Sequence, residues 1–183
     1  DLRLADQPAV GAALDRALEL GGPVLPLFIW APDDEGDWAP GAATRWWLHH
    51  SLAALDRDLR ERGSRLLIRR AGKGGSAEVI AQLAAEAGAA TVVWSRRYEP
   101  AALARDAAIK SVLKGSGLRA DSVNSSLLFE PWEVKTGEGG PYKVFTPFWR
   151  ACIARGAVPA PLPSPGQIPS PKAWPRGDSI ESL

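Results

Sequence analysis

Several residue types are scarce in this chain of 183 residues, and each shortage excludes a class of protein. Cys152 is the only cysteine, so no intramolecular disulfide can form, and this usage is typical of a reducing, cytoplasmic environment. No run of about 18 apolar residues occurs, so the sequence predicts no membrane span. With a net charge of +1, the chain lacks the excess of basic residues that is typical of nucleic-acid-binding domains.

The residues that are present indicate a folded α/β protein. Apolar residues make up 45% of the chain and charged residues 23%, a balance that argues against disorder. Apolar periodicity predicts strands at residues 23–30, 64–70, 91–94 and 118–124, and helices at residues 7–20, 42–62, 76–87 and 100–114. This alternation, with short connections, predicts a parallel sheet with helices on both faces.

Local signals mark where these elements begin and end. Asp6 is predicted to cap the first helix, and Pro26 fits poorly inside a strand because it lacks a backbone donor. Residues 73–76, Lys-Gly-Gly-Ser, lack the spacing of a phosphate-binding loop, so we interpret them as a turn and cap before the third helix.

Residues 125–150 form a distinctive stretch. Two apolar segments, residues 127–129 and 142–145, flank a polar turn that contains two adjacent glycines and Pro141. Thr146 before Pro147 predicts an N-cap with proline at the first helical position. The stretch is therefore expected to be a structured ribbon followed by a helix.

Residues 157–176 are rich in proline and are predicted to form neither helix nor central strand. A semi-rigid, extended linker is the expected structure. The chain is thus divided into residues 1–155, a folded domain, and residues 156–183, a linker.

Four motifs in a fixed order give the chain a family resemblance that spans almost its whole length. They are residues 1–8 (DLRLADQP), 45–52 (RWWLHHSL), 97–106 (RYEP followed by RD), and 128–150 (LFEP followed by PYKVFTPFWR). Together they closely resemble the amino-terminal domain of DNA photolyases and cryptochromes.

The resemblance implies a Rossmann-like fold, a doubly wound parallel sheet of about five strands whose first strand would precede Asp1. In the family, the proline-rich segment leads to a larger helical domain that holds FAD and the DNA lesion. We therefore expect that domain as a partner in cis, with damaged DNA bound only through it.

The resemblance also implies a function. Photolyases cleave pyrimidine dimers in DNA by light-driven electron transfer from reduced FAD, and their amino-terminal domain harvests light. The expected role is a light-harvesting domain with no catalytic residue of its own. Two alternatives remain: a domain of a cryptochrome-type blue-light signalling protein, and a free-standing α/β nucleotide-binding module. The proline-rich tail and the helix after Thr146 argue against the module.

A candidate ligand cleft lies at the carboxyl ends of the predicted strands. Two strands end in Trp30 and Trp94, and polar loops follow them; in an open parallel sheet, ligands bind at this edge. Indole walls and an arginine at the mouth suit a flat, weakly anionic chromophore. The alternative is that the tryptophans only close the end of the sheet. The candidate cofactor-binding residues are Trp30, Asp33, Arg45, Arg97, Tyr98 and Glu99.

Arg45 opens the second predicted helix, where a positive charge opposes the helix dipole, so a ligand or a carboxylate partner is favoured over a purely stabilising role. In relatives with a deazaflavin or flavin antenna, an arginine at the matching position contacts the chromophore. Those relatives have an acidic residue where this chain has Arg97. Folate-binding relatives have an Asn-Glu pair where this chain has residues 101–102, Ala-Ala. Deazaflavin, flavin and folate all remain alternatives.

Other residues suggest no metal or nucleophilic site. His49 and His50 are adjacent, so they lack the i, i+4 spacing of a helical metal site. Cys152 has no histidine near it in sequence and is expected to be buried. Apolar residues around Phe148, Trp149 and Ile153 are expected to be exposed without a helical partner, so we expect self-association of this chain.

Overall fold

Four short strands form two parallel pairs in the computed structural model, which describes residues 2–72, 75–156 and 158–182, apart from the side chains of residues 37 and 38. Strand β1 (Leu27–Trp30) pairs with β2 (Leu67–Arg70), and Leu27 lies opposite Leu67. Strand β3 (Thr91–Ser95) pairs with β4 (Arg119–Val123), and Thr91 lies opposite Arg119. Within each pair, the carboxyl ends lie at the same edge.

In the part of the chain that the structure describes, five α-helices accompany the strands: α1 (Pro8–Leu20), α2 (Ala42–Arg60), α3 (Gly75–Ala87), α4 (Pro100–Gly115) and α5 (Phe145–Ala154). The predicted mixed α/β fold with parallel strands is confirmed. The predicted number of about five strands is not confirmed, because the described residues form four strands in two separate parallel pairs. No helix in the described ranges combines the length and apolar character that crossing a membrane requires.

Among the described residues, two hydrophobic clusters pack the elements together. The first joins the amino-terminal segment, α1, α2 and the carboxyl-terminal tail, and its buried members are Leu4, Leu55, Leu59 and Ile168. The second joins α3 and α4 to β3 and β4, and its buried members are Ala84, Ile109 and Leu113.

Helix α1 is capped by a different residue from the one predicted. Gln7 occupies the N-cap position, and its side-chain oxygen accepts a hydrogen bond from the amide of Ala9 at 3.3 Å. Asp6 instead has a positive φ of 50° and its carboxylate accepts a hydrogen bond from the amide of Leu162 at 3.2 Å. A tertiary contact with the tail therefore replaces the expected local cap.

Two proline-related expectations have different outcomes. Strand β1 begins at Leu27, directly after Pro26, so the missing donor of proline stays outside the strand. The prediction that Thr146 caps α5 is wrong: the helix begins at Phe145, and Val144 is the extended residue before it.

Helix α3 is capped from a distant loop. The carboxylate of Asp34 accepts a hydrogen bond from the amide of Ser76 at 3.0 Å. Gly75 has a φ of +64°, and a Cβ atom there would lie 2.6 Å from an Asp34 oxygen, so only glycine fits this contact. Of the predicted turn at residues 73–76, residues 73 and 74 lie outside the described residues.

The proline-rich tail has no helix or strand between residues 158 and 179, and it lies along the surface of the domain rather than away from it. The amide of Asp6 donates to the carbonyl of Leu162 at 2.8 Å, and the amide of Val24 donates to the carbonyl of Pro169 at 2.7 Å. Ile168 is 3% exposed. The tail is therefore held on the surface by backbone hydrogen bonds, and it contributes Ile168 to a hydrophobic cluster of the domain.

Candidate functional site

Polar side chains from three loops contact one another at the carboxyl edge of the strands. An acidic loop, residues 31–41, follows β1, and its 3-10 helix spans Pro32–Trp38. Residues 96–99 follow β3, and residues 124–134 follow β4. These three segments meet at one edge, where an open parallel sheet binds its ligands.

Arg97 joins the acidic loop to the start of α4. Its two terminal nitrogens donate to the two carboxylate oxygens of Glu35 at 2.6 and 3.0 Å, and its Nε donates to Glu99 at 3.3 Å. The hydrogen bond from Arg97 to Glu35 is the main reason why the pKa of Arg97 is raised. The positive charge of Arg97 is already paired, so this side chain is poorly suited to bind an anion.

Glu99 completes this pairing from the residue before α4. Its carboxylate accepts hydrogen bonds from backbone amides, including that of Tyr98 at 3.1 Å. Hydrogen bonding to its own amide, and then to the Arg97 side chain, lowers the pKa of Glu99. The lowered pKa favours the ionised form of Glu99, which adds a second negative charge beside Arg97.

Tyr98 faces a separate network centred on Glu130. Its hydroxyl donates to Glu130 at 2.7 Å, and Arg96 donates to the other oxygen of the same carboxylate. Burial, followed by the hydrogen bond to Glu130, raises the pKa of Tyr98 to about 12. The Glu130 side chain is only 11% exposed. Glu130 thus ties the segment after β4 to the end of β3.

Arg96 strengthens the same connection. Its guanidinium donates to the backbone carbonyl of Ser122 at 2.5 Å and to the hydroxyl of Ser122 at 3.2 Å. It also lies 5.2 Å from the centre of the Trp132 ring, within the range of a cation-π interaction. Three residues, Ser122, Glu130 and Trp132, therefore hold the guanidinium of Arg96, which makes it a structural cation.

Trp94 is held in place by hydrogen bonding. Its indole nitrogen donates to the buried carboxylate of Asp106 at 2.8 Å, and Arg105 donates to the other Asp106 oxygen at 2.7 and 3.0 Å. Lys110 lies 5.6 Å from the centre of the Trp94 ring. For Trp94, this geometry favours the interpretation that the tryptophan closes the end of the sheet.

The structure brings three of the six predicted residues together. Arg97, Tyr98 and Glu99 are linked by the contacts described above. The other three, Trp30, Asp33 and Arg45, form no hydrogen bond or ion pair with them among the side chains that the structure describes. Trp30 is half-buried at the end of β1, and Asp33 is exposed on the acidic loop.

Arg45 differs from Arg96, Arg97 and Arg105, each of which has a carboxylate partner. It lies on the same helical stripe of α2 as Leu48, Leu52 and Leu55, but two turns before the buried part, and it is exposed. The described side chains offer Arg45 neither an ion pair nor a hydrogen bond. Its charge is therefore available to an anionic ligand, in contrast to that of Arg97.

Several residues of this edge were not predicted as site residues: Glu35, Arg96, Arg105, Asp106 and Glu130. Two signals were present in the sequence, since Glu130 and the Arg105-Asp106 pair belong to the family motifs. Their partners could not be read from the sequence, because Arg96 and Glu130 are 34 residues apart and Arg97 and Glu35 are 62 residues apart.

The weaker candidates form no metal site. The rings of His49 and His50 lie 5.3 Å apart, and His50 packs edge-on against Trp46 at 4.5 Å. Cys152 is buried. Within residues 2–72, 75–156 and 158–182, no group of three His, Cys, Asp or Glu side chains could hold a metal ion.

The sequence of this domain matches a known protein family. The model of the DNA photolyase family matches residues 1–166. The chain belongs to the DNA photolyase family. It is 41% identical to the deoxyribodipyrimidine photo-lyase of Agrobacterium fabrum, over 100% of this chain and 36% of that protein. It is 40% identical to cryptochrome-1 of Arabidopsis thaliana, over 92% of this chain and 24% of that protein.

The fold agrees with a solved photolyase structure. A bacterial class III photolyase from Agrobacterium tumefaciens matches with a TM-score of 0.86 and 41% identity, over 100% of this chain and 36% of that chain. The chain thus spans about a third of these photolyases and matches their amino-terminal part. Members of the family are generally flavin-dependent and carry an antenna chromophore.

Proposed function

We propose that this chain is the light-harvesting domain of a photolyase-type flavoprotein that repairs pyrimidine dimers in DNA. The match of the chain to the amino-terminal part of photolyases is the observation that carries the proposal. In this proposal residues 1–155 are the antenna domain, and residues 156–183 lead to a helical domain that binds FAD and damaged DNA. A cytoplasmic location fits both this role and the single cysteine of the chain.

The carboxyl edge of the strands is the proposed site of an antenna chromophore. Trp30 offers a flat apolar surface, Asp33 an exposed carboxylate and Arg45 an unpaired positive charge. Arg97, Tyr98 and Glu99 line the edge while paired with one another or with Glu35 and Glu130. When bound, a deazaflavin, flavin or folate absorbs light and passes the excitation to FAD. The chain's own task is to hold it rigidly and away from water.

Arg45 is the residue whose loss should weaken chromophore binding most. We expect Arg45→Ala to reduce the affinity of the chain for FMN about tenfold, a loss of about 1.4 kcal/mol, because it removes the unpaired cation at the edge. Fluorescence anisotropy of FMN titrated with the purified chain measures this. Titrations with a deazaflavin and a folate establish which chromophore the edge prefers.

Arg57→Ala is the matched control, because Arg57 is an exposed arginine in the last turn of the same helix. It should leave the affinity unchanged. Equal losses in the two variants would show that only the net charge matters, and would contradict the proposed site.

Helix α5 offers the proposed contact with the helical domain. Phe145, Trp149 and Ile153 recur every four residues and are 70%, 51% and 58% exposed. The rings of Phe145 and Trp149 stack with centres 6.1 Å apart. An apolar face of this kind is typical of a contact surface. Without its partner, it is expected to drive association of the isolated chain.

Sedimentation velocity tests this surface. The parent chain should associate with increasing concentration, and the double variant Phe145→Ser/Trp149→Ser should sediment as a monomer. Leu18→Ser, at an 85% exposed position of α1, is the control and should behave like the parent chain. A monomeric parent chain at all concentrations would contradict the proposed role of α5.

The chain alone is expected neither to bind FAD tightly nor to repair DNA, because no general acid, base or nucleophile is needed for light harvesting. Repair of pyrimidine dimers by the purified chain with FAD under blue light would refute this.

The second candidate is a cryptochrome-type signalling domain. It is favoured by the 40% identity to cryptochrome-1, which nearly equals the 41% to the photolyase. Repair assays on the protein that carries both domains separate the two.

A further inference from the structure

The outer edge of β2 is the edge that faces away from β1. The amides of Leu67 and Ala71 donate to carbonyls of Pro26 and Trp30, at 2.9 Å in both cases. Because backbone groups alternate in direction along a strand, the amides and carbonyls of Leu66, Ile68 and Arg70 point to the other side. An edge of this kind can pair with another chain unless it is covered.

Two aspartates cover this outer edge. The amide of Asp178 donates to the carbonyl of Ile68 at 2.9 Å, and the carboxylate of Asp178 accepts from the amide of Arg70 at 2.8 Å. The carboxylate of Asp56, from α2, accepts from the amide of Leu66 at 2.8 Å. Asp178 therefore supplies one donor and one acceptor, as a neighbouring strand would.

The residue before Asp178 permits the close approach. A Cβ atom at position 177 would lie 2.7 Å from a Leu67 methyl carbon and 3.3 Å from the carbonyl oxygen of Ile68. The first contact requires the Leu67 side chain or the tail to shift, and the second leaves a side chain little room beside the backbone of β2. Gly177 therefore allows the tail to lie directly on β2.

The rest of the tail keeps this segment in place. Ile168 lies in the first hydrophobic cluster, and its amide donates to the carbonyl of Arg62 at 3.0 Å. Ser170 donates to the carbonyl of Gly63 at 2.8 Å. The guanidinium of Arg65 lies 4.5 Å from the centre of the Trp174 ring. Residues 162–178, which we name the strap, are thus anchored before they reach β2.

We propose that the strap closes the outer edge of β2 in cis and so prevents this edge from pairing with a second copy of the chain. The strap occupies the edge with hydrogen bonds of the type that a strand uses, and it places the Asp178 carboxylate where an intermolecular strand would have to pair. The matched family region ends at residue 166, so the sealing contacts at residues 177 and 178 lie beyond it.

Amide hydrogen exchange of the full chain tests the proposal. In Asp178→Ala, the Arg70 amide should exchange at least about tenfold faster than in the parent chain, because it loses its acceptor. The Leu67 and Ala71 amides, which face β1, should keep their protection. Gly177→Val displaces the strap by crowding and should give the same pattern. Ser179→Ala, at the next position along the tail, should change nothing.

The oligomeric state supplies the second measurement. It is best read in the Phe145→Ser/Trp149→Ser background, where association through α5 does not mask the result. Adding Asp178→Ala or Gly177→Val should produce concentration-dependent dimers by sedimentation velocity. Unchanged exchange at Arg70, an equal acceleration of all β2 amides, or a monomer that persists after the strap is displaced would each overturn the proposal.

Discussion

Replacing Ile168 by alanine should lower the free energy of unfolding by about 2–5 kcal/mol, the range found when a large aliphatic side chain is removed from a packed core. Ile168 is 3% exposed and packs with Leu4, Leu55 and Leu59, although it lies in a segment with no helix or strand. Removing its side chain leaves a cavity among groups from three parts of the chain, and those groups cannot easily move together to fill it.

Urea unfolding followed by far-ultraviolet circular dichroism measures the effect. Val158→Ala is the control, because Val158 lies in the same tail but is 52% exposed, and it should cost less than about 0.5 kcal/mol. If the two substitutions had the same small effect, the tail would be a linker that merely touches the domain.

Replacing Glu130 by glutamine should lower the pKa of Tyr98 from about 12 toward its ordinary value of 10.0. The substitution keeps the shape of the side chain but removes the negative charge that disfavours tyrosinate. Burial is the first cause of the raised pKa, so part of the shift should remain. The chain has two tyrosines, so absorbance at the tyrosinate band, recorded against pH, resolves the change.

The same shift makes stability depend on pH. Because the pKa of Tyr98 is higher in the folded state than in the unfolded state, its contribution is complete below pH 10 and is lost as the pH rises from 10 toward 12. In Glu130→Gln, the folded-state pKa of Tyr98 should be lower, so this contribution to stability should be lost over a smaller pH range above pH 10. Glu130→Ala should in addition cost about 1–3 kcal/mol, because Arg96 and the Tyr98 hydroxyl lose their shared acceptor.

Glu138→Gln is the control, since Glu138 lies exposed in the polar turn of the ribbon. It should change neither the tyrosine titration nor the stability. A tyrosine titration in Glu130→Gln that matches that of the parent chain would mean that burial alone raises the pKa of Tyr98. The network at Glu130 would then be irrelevant to the chemistry of this edge.

Most elements of the fold could be predicted because their signals are local. The stripe of Leu48, Leu52, Leu55 and Leu59 predicts α2, and the apolar run before Trp30 predicts β1. Both follow from the period of side-chain burial along a helix or strand. The family motifs, which lie in a fixed order, identify the family with no knowledge of any contact. The number of strands is not confirmed, and several ends of elements differ from the prediction: β1 and β2 begin later than residues 23 and 64. At Asp6 and Thr146, a tertiary contact or the backbone path replaced the expected cap.

Strand polarity could predict the edge at which the candidate site is proposed, but the sequence could not predict how the side chains there are paired. Strand polarity places Trp30 and residues 97–99 at the carboxyl edge. It does not indicate that Arg97 is neutralised by Glu35 and that Tyr98 faces Glu130, whereas Arg45 is unpaired. Such pairing depends on distances between loops that are far apart in sequence, and no periodicity records those distances.

The tail shows the same division most clearly. Its prolines exclude regular structure, which composition alone establishes. Composition cannot distinguish an extended segment in solvent from one that lies on the domain, because both have the same backbone conformation. Packing made that choice: Ile168 fits a gap between α2 and the amino-terminal segment, and Gly177 lets Asp178 reach the edge of β2. Periodicity and motif order therefore establish the elements and the family. Contacts between residues distant in sequence decide which charged side chains are paired and where the tail lies on the domain.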